Sequence, residues 1–395
     1  MSRLQKIIDG ALAVFLLALI LVFGFNTVWP NRIRLLDAAR SQTRLLTYMP
    51  ADYTQLEKLA ARIRSTEDRL NEVLWKKDEL GYFNSSVQYA LGKKMINTGS
   101  SGMVTLPTGD LYDLPRKADP SPMIGEILTL RDRLDVPLLY VFEHPTTYPG
   151  NHPEGGYAML DHGDELSEKI VGMLRDGGID LLDSREILRD EDTSKTILRT
   201  DQHWTYYAAL VMAKNVAAKL GLDADRLDLS RFETKIYPEK FLGKYGQKIG
   251  TGNVKPDDIT IFYPKYETEI TRYTLYNGDE TTITGPFRDS VIKWNYLEGD
   301  GWNIDAYKAY GLTEDFEHFH NDDGADITLL VFKDSFGSPV AHFLSLVARD
   351  VYLVDMRKTD RPAMEFVEET NPDQVVIAYS QQMVCAYDFH LIEQE

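Results

Sequence analysis

Cysteine is nearly absent from this chain. Cys385 is the only one in 395 residues, so the chain cannot form an internal disulfide. Basic residues are also scarce, since 43 Lys and Arg face 61 Asp and Glu and the net charge is −18. Nucleic-acid binding depends on neutralising phosphates, so this balance argues against a nucleic-acid partner. The sequence also lacks internal repeats and the G-x-S-x-G motif, which argues against a repeat protein and an ordinary α/β-hydrolase elbow.

Long apolar runs are confined to one place near the amino terminus. Residues 10–29 read GALAVFLLALILVFGFNTVW, and such a helix spans about 30 Å, the thickness of a bilayer core. No small-residue cleavage pattern follows, so we expect an uncleaved transmembrane anchor. Arg3 and Lys6 favour a cytoplasmic tail at residues 1–9, although the arginines between residues 32 and 44 oppose this orientation. The prediction is a single-pass protein of a bacterial cell membrane, with an extracytoplasmic main body.

Residues 30–95 are predicted to form a helical stalk. Between residues 51 and 77, apolar side chains recur at three- and four-residue spacing, with charges on the opposite face. The pattern covers fewer than four heptads. It is therefore equally compatible with a coiled-coil seam and with a helix that packs on its own domain.

The rest of the chain reads as α/β. Helix and strand periods alternate over residues 96–222 and 327–395, which predicts a mostly parallel sheet with flanking helices. Residues 223–326 contain β-like runs around Asn277-Gly278, a strong hairpin signal, and are predicted to form an inserted antiparallel β ribbon. The predicted strands include 137–142, 179–182, 259–263, 270–276, 281–284, 327–332, 351–354 and 374–378, and the predicted helices include 122–133, 164–175, 206–220 and 339–348.

Three residues suited to nucleophilic acyl transfer stand in two distant stretches. Asp201 and His203 precede the helix that begins at Tyr206, and Ser335 follows the strand 327–332. A hydroxyl is a weak nucleophile, so an imidazole must take its proton and a carboxylate must orient the imidazole. Ser335 also stands at a strand's carboxyl end and before a helix, where α/β sheets place their chemistry. Taken singly, each residue is equally explained as a helix cap or a structural histidine.

The two stretches together resemble a known family. TDQHWT and KDSFG, with their flanks, resemble the DHHW family, which is related to the alginate O-acetylation proteins and more distantly to SGNH hydrolases. The resemblance covers most of the chain beyond the anchor, including LGKKMINTGSSGMVTLPTGDLYDL, FLGKYGQKIGTGNVKPDDITIFYP and VFKDSFGSPVAHFLS. It implies an SGNH-hydrolase-like fold in which Ser335 is the nucleophile, His203 the general base and Asp201 its orienting carboxylate.

The resemblance implies a membrane-anchored, extracytoplasmic O-acetyltransferase that acts on a cell-surface or exported polysaccharide through an acyl-enzyme. It also implies a membrane-bound O-acyltransferase as the acetyl donor, because acetyl-CoA is absent outside the cell, and it implies no cofactor or metal. One alternative is a carbohydrate esterase or deacetylase with the same triad and water as the acceptor. Another is a non-catalytic polysaccharide-binding or assembly protein.

Three further residues are candidate substrate contacts. Trp204 is expected either to stack on a sugar ring or to wedge its helix into the core, and we prefer the second interpretation. Arg199 is a candidate partner for Asp334 or for a polymer carboxylate. Tyr379 comes at the end of the last predicted strand, where it would line the cleft.

Three other polar residues have no assigned role. Gln202 stands where the family name has its first histidine, so we expect it to contribute specificity or structure. His318 and His320 are two residues apart. Sequence spacing places no third ligand beside them, so a zinc site is not expected there.

Overall fold

The computed structural model describes residues 21–22, 24–27, 29–31, 76–97, 102–106, 108–115, 117–143, 153, 155–312, 314–386 and 389–393. The chain divides into two compact units, residues 1–84 and 85–395. None of the helices within these described ranges is both long and apolar enough to cross a membrane. Most of the predicted anchor at 10–29 and of the predicted stalk, and all of the tail at 1–9, lie outside the described residues, so they stay predictions.

Helices and strands alternate along the described chain. The strands are β1 (Met95–Asn97), β2 (Gly102–Thr105), β3 (Leu111–Asp113), β4 (Leu138–Glu143), β5 (Asp180–Asp183), β6 (Phe232–Phe241), β7 (Asp257–Pro264), β8 (Ile270–Tyr276), β9 (Asp279–Gly285), β10 (Phe316–His320), β11 (Ala325–Lys333), β12 (Ala348–Val354) and β13 (Gln374–Ser380). The helices are α1 (Lys77–Ala90), α2 (Ser121–Arg133), α3 (Gly163–Asp176), α4 (Ser184–Ile187), α5 (Thr193–Thr196), α6 (Tyr206–Lys219), α7 (Lys244–Ile249), α8 (Phe287–Ser290), α9 (Gly337–Leu344), α10 (Ala363–Thr370) and α11 (Gln381–Ala386).

An eight-stranded sheet in the order β5-β4-β13-β11-β12-β10-β8-β9 organises the second unit. The first five strands pair in parallel. Strands β10, β8 and β9 continue the same sheet in antiparallel. The sheet is therefore mixed, and the expectation of a mostly parallel sheet is wrong. The predicted antiparallel insert is present, but β8 and β9 extend the main sheet whereas β6 and β7 pair apart from it. The reason is β10, which pairs with the outer edge of β12 and so satisfies backbone groups that an edge strand leaves unpaired.

The predicted hairpin forms between β8 and β9. Asn277 and Gly278 both have positive φ, at 52° and 86°. A type I′ turn requires positive φ at both central positions, and Asn-Gly tolerates it best. Tyr276 and Asp279 then pair directly, as the two-residue loop demands.

Apolar side chains cover both faces of the sheet. Helices α6 and α9 pack together on one face, through residues such as Val216 and Phe343. Helices α2, α3, α10 and α11 supply the core of the other face, with Ile124 and Ile170 among its buried residues. The central strands are thus buried on both sides, which is why they read as continuous apolar runs. Their carboxyl ends form the sheet edge where the polar residues gather.

Candidate active site

Ser335 lies in the turn between β11 and α9. The preceding Asp334 fixes this turn, because its Oδ1 accepts hydrogen bonds from the amides of Phe336 at 2.8 Å and Gly337 at 3.4 Å. Its Oδ2 accepts from the amide of Ser380 at 2.9 Å, which ties the turn to the end of β13. Within the described chain, the amide of Ser335 itself has no hydrogen-bond acceptor. It is therefore the N–H of this turn that remains for a developing oxyanion.

His203 contacts Ser335, although 132 residues separate them in the chain. The distance between His203 Nε2 and Ser335 Oγ is 2.7 Å. On the other side of the ring, Nδ1 lies 2.5 Å from Asp201 Oδ1. A carboxylate only accepts, so Nδ1 carries the proton and Nε2 is left to accept from the serine hydroxyl. The three side chains therefore form a continuous Asp-His-Ser hydrogen-bond chain, the geometry expected of a catalytic triad.

Asp201 is held by backbone donors as well as by the imidazole. It is only 3% exposed, and its Oδ2 accepts from the amide of Lys244 at 2.6 Å. Burial acts to raise the pKa of this carboxyl. The imidazole of His203 and the amides of Lys244 and His203 outweigh burial, so the pKa lies below its ordinary value. Asp201 is therefore charged at neutral pH, and it is placed to stabilise a positive charge on the imidazole of His203.

Thr200, the residue before Asp201, is held in place by hydrogen bonds with Asp257 and with Gly243. Asp257, at the start of β7, accepts from the amides of Arg199 at 2.8 Å and Thr200 at 2.9 Å, and from Thr200 Oγ1 at 2.5 Å. The amide of Gly243 donates to the same hydroxyl at 2.9 Å. A Cβ at Gly243 would lie 2.3 Å from Asp201 Cβ, so only glycine fits there. The start of helix α7, at Gly243, thus packs directly against the triad.

Two aromatic rings enclose the imidazole of His203. Tyr307 stacks on it with ring centroids 4.9 Å apart, and Phe336 packs at 4.7 Å. The hydroxyl of Tyr307 donates to the carbonyl of Trp204 at 2.7 Å, and its own carbonyl accepts from the hydroxyl of Tyr206 at 2.6 Å. Sequence reasoning missed Tyr307, because its segment carries no local signal that pairs it with a distant histidine.

Glu143 is a second residue that sequence reasoning did not assign to the site. It ends β4 in register with Ser380 of β13 and is fully buried. Burial, reinforced by the carboxylate of Asp334, raises the pKa of Glu143 well above its ordinary value. Burial and the nearby carboxylate thus both favour the neutral, protonated form of Glu143.

Two of the predicted substrate contacts are core residues instead. Trp204 is 2% exposed and Tyr379 is 0% exposed, so neither presents a ring face to a polymer. Trp204 packs edge-on against Phe336 at 5.8 Å, where it anchors the entrance of α6. Tyr379 lies on the central strand β13, whose neighbours on both sides bury it, and it packs edge-on against Phe389 at 5.7 Å. Trp204 thus occupies the core position that we preferred for it, and the burial of Tyr379 is contrary to the expectation that its side chain lines the cleft.

Arg199 is accessible, but it does not pair with Asp334. Its side chain is 49% exposed, and Nε lies 3.6 Å from Asp257 Oδ1. It lines a cleft of about 730 Å³, together with Tyr207 and Tyr307. The triad residues do not line this cleft, but Tyr307, which does, stacks on the triad histidine. Arg199 therefore stays a candidate contact for substrate.

Comparison with protein families finds a match to one domain. Residues 148–275 match the family model described as the SGNH hydrolase-like domain of the acetyltransferase AlgX. The matched segment contains Asp201 and His203 and ends before Ser335, so the fold brings the serine to a histidine from the matched segment. No curated protein sequence matches the chain significantly.

Two solved structures share the fold. A DHHW family protein from Eubacterium siraeum aligns with a TM-score of 0.58 and 17% identity, over 76% of this chain and 99% of that chain. PatB1 of Bacillus cereus, solved with a sulfonyl adduct, aligns with a TM-score of 0.60 and 14% identity, over 75% of this chain and 100% of that chain. At such identities the likeness establishes the fold. The resemblance predicted from TDQHWT and KDSFG is thus confirmed: this chain is similar to the SGNH-hydrolase-like O-acetylation proteins and the DHHW family.

Proposed function

We propose that this chain is a membrane-anchored, extracytoplasmic O-acetyltransferase that modifies a cell-surface or exported polysaccharide through an acetyl ester on Ser335. The observation that carries the proposal is the 2.7 Å contact between His203 Nε2 and Ser335 Oγ. The match to an SGNH hydrolase-like acetyltransferase domain supports acetyl transfer as the kind of reaction.

In the first half-reaction, His203 takes the proton of the Ser335 hydroxyl as Oγ attacks the acetyl carbonyl of the donor. The amide of Ser335 stabilises the oxyanion that develops. The tetrahedral intermediate then collapses, the bond between the acetyl carbon and the donor breaks, and the leaving group takes the proton from His203. The product is an acetyl ester on Ser335 and a neutral imidazole.

In the second half-reaction, a sugar hydroxyl replaces the donor. His203 takes its proton, the sugar oxygen attacks the ester carbonyl, and Ser335 Oγ leaves and recovers a proton from the imidazolium. Asp201 keeps the imidazole in one tautomer throughout both halves. Water in place of the sugar would give hydrolysis. The reaction therefore requires an acceptor that occupies the cleft beside Tyr307 and Arg199.

The donor and the location of the reaction follow from the sequence expectations. The uncharged run at 10–29 supports an anchor, and the acidic body is repelled by an anionic bilayer surface. A membrane-bound O-acyltransferase supplies acetyl groups to this side of the membrane. The half-exposed Arg199 would pair with carboxylates of an acidic polymer.

The test is to replace the nucleophile and to label it. Ser335→Ala should lower polymer acetylation by about 10³-fold or more at unchanged Tm, because the covalent route is lost. A matched control is Ser338→Ala, three residues further on in α9, which should retain acetylation. In the wild type, an aryl sulfonyl fluoride should label Ser335, as mass spectrometry of the peptide would show.

Two results would overturn the proposal. Unlabelled Ser335 with retained glycan binding would identify a non-catalytic binding protein. Release of acetate from an artificial ester, with no transfer to any glycan even when the candidate donor protein is present, would identify an esterase.

A further inference from the structure

A cluster of metal-ligand types lies at the junction of β10 and β12, away from the triad. His318 and His320 are two apart on β10 and so project from the same face of the strand. Asp350 of β12 is the register partner of His320. His318 Nε2 lies 2.7 Å from Asp350 Oδ1, and His320 Nδ1 lies 2.9 Å from the same oxygen. The three ligand atoms are within 4.8 Å of one another.

We propose that His318, His320 and Asp350 bind a divalent transition-metal ion, with Zn²⁺ the best match to these ligands. Zinc binds imidazole nitrogen and carboxylate oxygen at about 2.0–2.2 Å in a tetrahedral arrangement. Such an arrangement separates neighbouring ligand atoms by about 3.3–3.6 Å. The two nitrogens already surround one carboxylate oxygen at slightly shorter distances, so small side-chain rotations would admit the ion. The remaining position of the tetrahedron is left for water.

The surroundings of the two imidazoles support this assignment. His320 Nε2 lies 3.2 Å from Asp322 Oδ1, so its second nitrogen has a carboxylate partner while Nδ1 faces the cluster. Metal-binding histidines commonly donate their second N–H to a carboxylate, which orients the ring and increases its basicity. The ring of His318 stacks on Tyr352 with centroids 4.0 Å apart and planes within 7°. Both rings are therefore oriented before any ion arrives.

The cluster is separate from the acyl-transfer site. Asp350 pairs in register with Thr328 of the parallel strand β11, whereas Ser335 follows the carboxyl end of that strand. Seven residues of extended chain span about 23 Å. A metal at this distance takes no part in proton or acetyl transfer. It would instead link β10 to β12, where the antiparallel strands join the parallel ones, and so add binding free energy to folding.

The test titrates the full chain with metal after treatment with a chelator. Co²⁺ should give the visible absorption bands of a tetrahedral site and saturate at one ion per chain, and Zn²⁺ should displace it. Asp350→Asn and His318→Gln should each lower Zn²⁺ affinity by about 100-fold or more, and Asp322→Asn by about 10-fold to 100-fold. Zn²⁺ should also raise Tm of the wild type.

Two controls separate this site from others. His390→Gln removes a histidine that faces the single carboxylate of Glu126 at 2.8 Å, and it should leave affinity unchanged. Ser335→Ala should also bind Zn²⁺ like the wild type, whether or not it has lost acetylation. The proposal is overturned if Co²⁺ gives no tetrahedral bands or if Asp322→Asn and Asp350→Asn bind Zn²⁺ as tightly as the wild type. Asp322 is almost fully exposed, so its variant reports on the metal even if a substitution in the sheet unfolds the protein.

Discussion

The parallel and antiparallel halves of the sheet place their polar groups differently. In the parallel half, the interiors of the central strands β4 and β13 are apolar on both faces, and Ser335, Asp334 and Glu143 stand at or just past carboxyl ends. In the antiparallel half, Arg272 of β8 and Glu317 of β10 lie in strand interiors, and both are buried. A polar group at a strand end can meet a substrate, whereas one in a strand interior must be paired within the protein. The first half is thus suited to chemistry and the second to structure.

The buried charges of the antiparallel half are paired closely. Arg272 Nε donates to Glu317 Oε1 at 2.9 Å, and His342 Nε2 lies 3.5 Å from the same oxygen. Burial acts to raise the pKa of Glu317, but Arg272 and His342 outweigh it and bring the pKa well below its ordinary value. Glu314 adds a second carboxylate, 3.7 Å from Arg272 Nη2. The side chains of Arg272, Glu314 and Glu317 are almost fully buried and paired with one another, which is why we assign these contacts to stability.

The largest expected effect is on the catalytic edge of the parallel half. Asp201→Asn should lower polymer acetylation by about 10³-fold to 10⁴-fold, because an amide that donates to Nδ1 favours the wrong imidazole tautomer. Tm should change little, and the variant should still bind polymer. Asp258→Asn, an exposed neighbour of Asp257, is the control with full activity. If Asp201→Asn acetylates the polymer at a rate within tenfold of wild type, the proposed contrast between a parallel half suited to chemistry and an antiparallel half suited to structure is contradicted.

Substitutions in the antiparallel half should lower the free energy of unfolding rather than the acetylation rate. Glu317→Gln should lower the free energy of unfolding by about 3–5 kcal/mol, because Arg272 is left buried with only the more distant carboxylate of Glu314 as a charged partner. Urea denaturation measures this, and the rate per folded molecule should be unchanged. The folded-state pKa of Glu317 is depressed, so its stabilisation is present above the unfolded value near 4.5 and is lost as pH falls through the folded value. The difference between wild type and variant should therefore shrink in acid.

A matched substitution on the same ribbon tests whether pairing is the cause. Glu280→Gln replaces an exposed carboxylate of β9 and should cost less than about 0.5 kcal/mol. Equal losses for Glu280→Gln and Glu317→Gln would contradict the role given to the buried network.

Tyr307 lies where the insert meets the catalytic edge and should show an intermediate effect. Tyr307→Phe keeps the ring on His203 and loses one hydrogen bond to the carbonyl of Trp204, so stability should fall by about 1 kcal/mol. Tyr307→Leu also removes the stacked ring, and kcat should fall about tenfold with KM nearly unchanged, because the imidazole loses its orientation. If both variants keep the wild-type kcat, Tyr307 is a packing residue only.

The smallest effect is expected at the cleft. Arg199→Gln should raise KM for an acidic polymer by about twofold to fivefold with kcat unchanged, because half-exposed charges interact weakly in water. The increase should disappear in high salt, which screens the pair. A KM that is unchanged at low salt would exclude Arg199 from polymer binding.

Local patterns predicted much of the parallel half. Its strands are apolar runs between helical periods. In the antiparallel half, Asn277-Gly278 predicted the hairpin of β8 and β9, because few other residues accept its backbone angles. The triad was predicted from residue types in TDQHWT and KDSFG together with a resemblance, since no spacing rule brings Ser335 to His203.

The antiparallel half was harder to predict for physical reasons. Strand β10 reads FEHFH, where the buried Glu317 breaks the alternation of apolar and polar residues that marks a strand. Glu317 can be buried because Arg272 on the neighbouring strand β8 pairs with it. No local sequence pattern reveals a partner on another strand. The third ligand of the histidine cluster was missed for the same reason, because Asp350 joins His318 and His320 through strand register.

Gly243 limits how the insert at residues 223–326 could be removed from this fold or exchanged between relatives. Residues 223–326 look like a module that could be cut out or exchanged between relatives. Yet the backbone that passes over Asp201 comes from that module, and the amide of Lys244 supplies one of the donors that keep the carboxylate charged. A graft would therefore have to carry over a glycine followed by a residue whose backbone N–H reaches the carboxylate, or the recipient would lose the contacts that hold Asp201 beside His203.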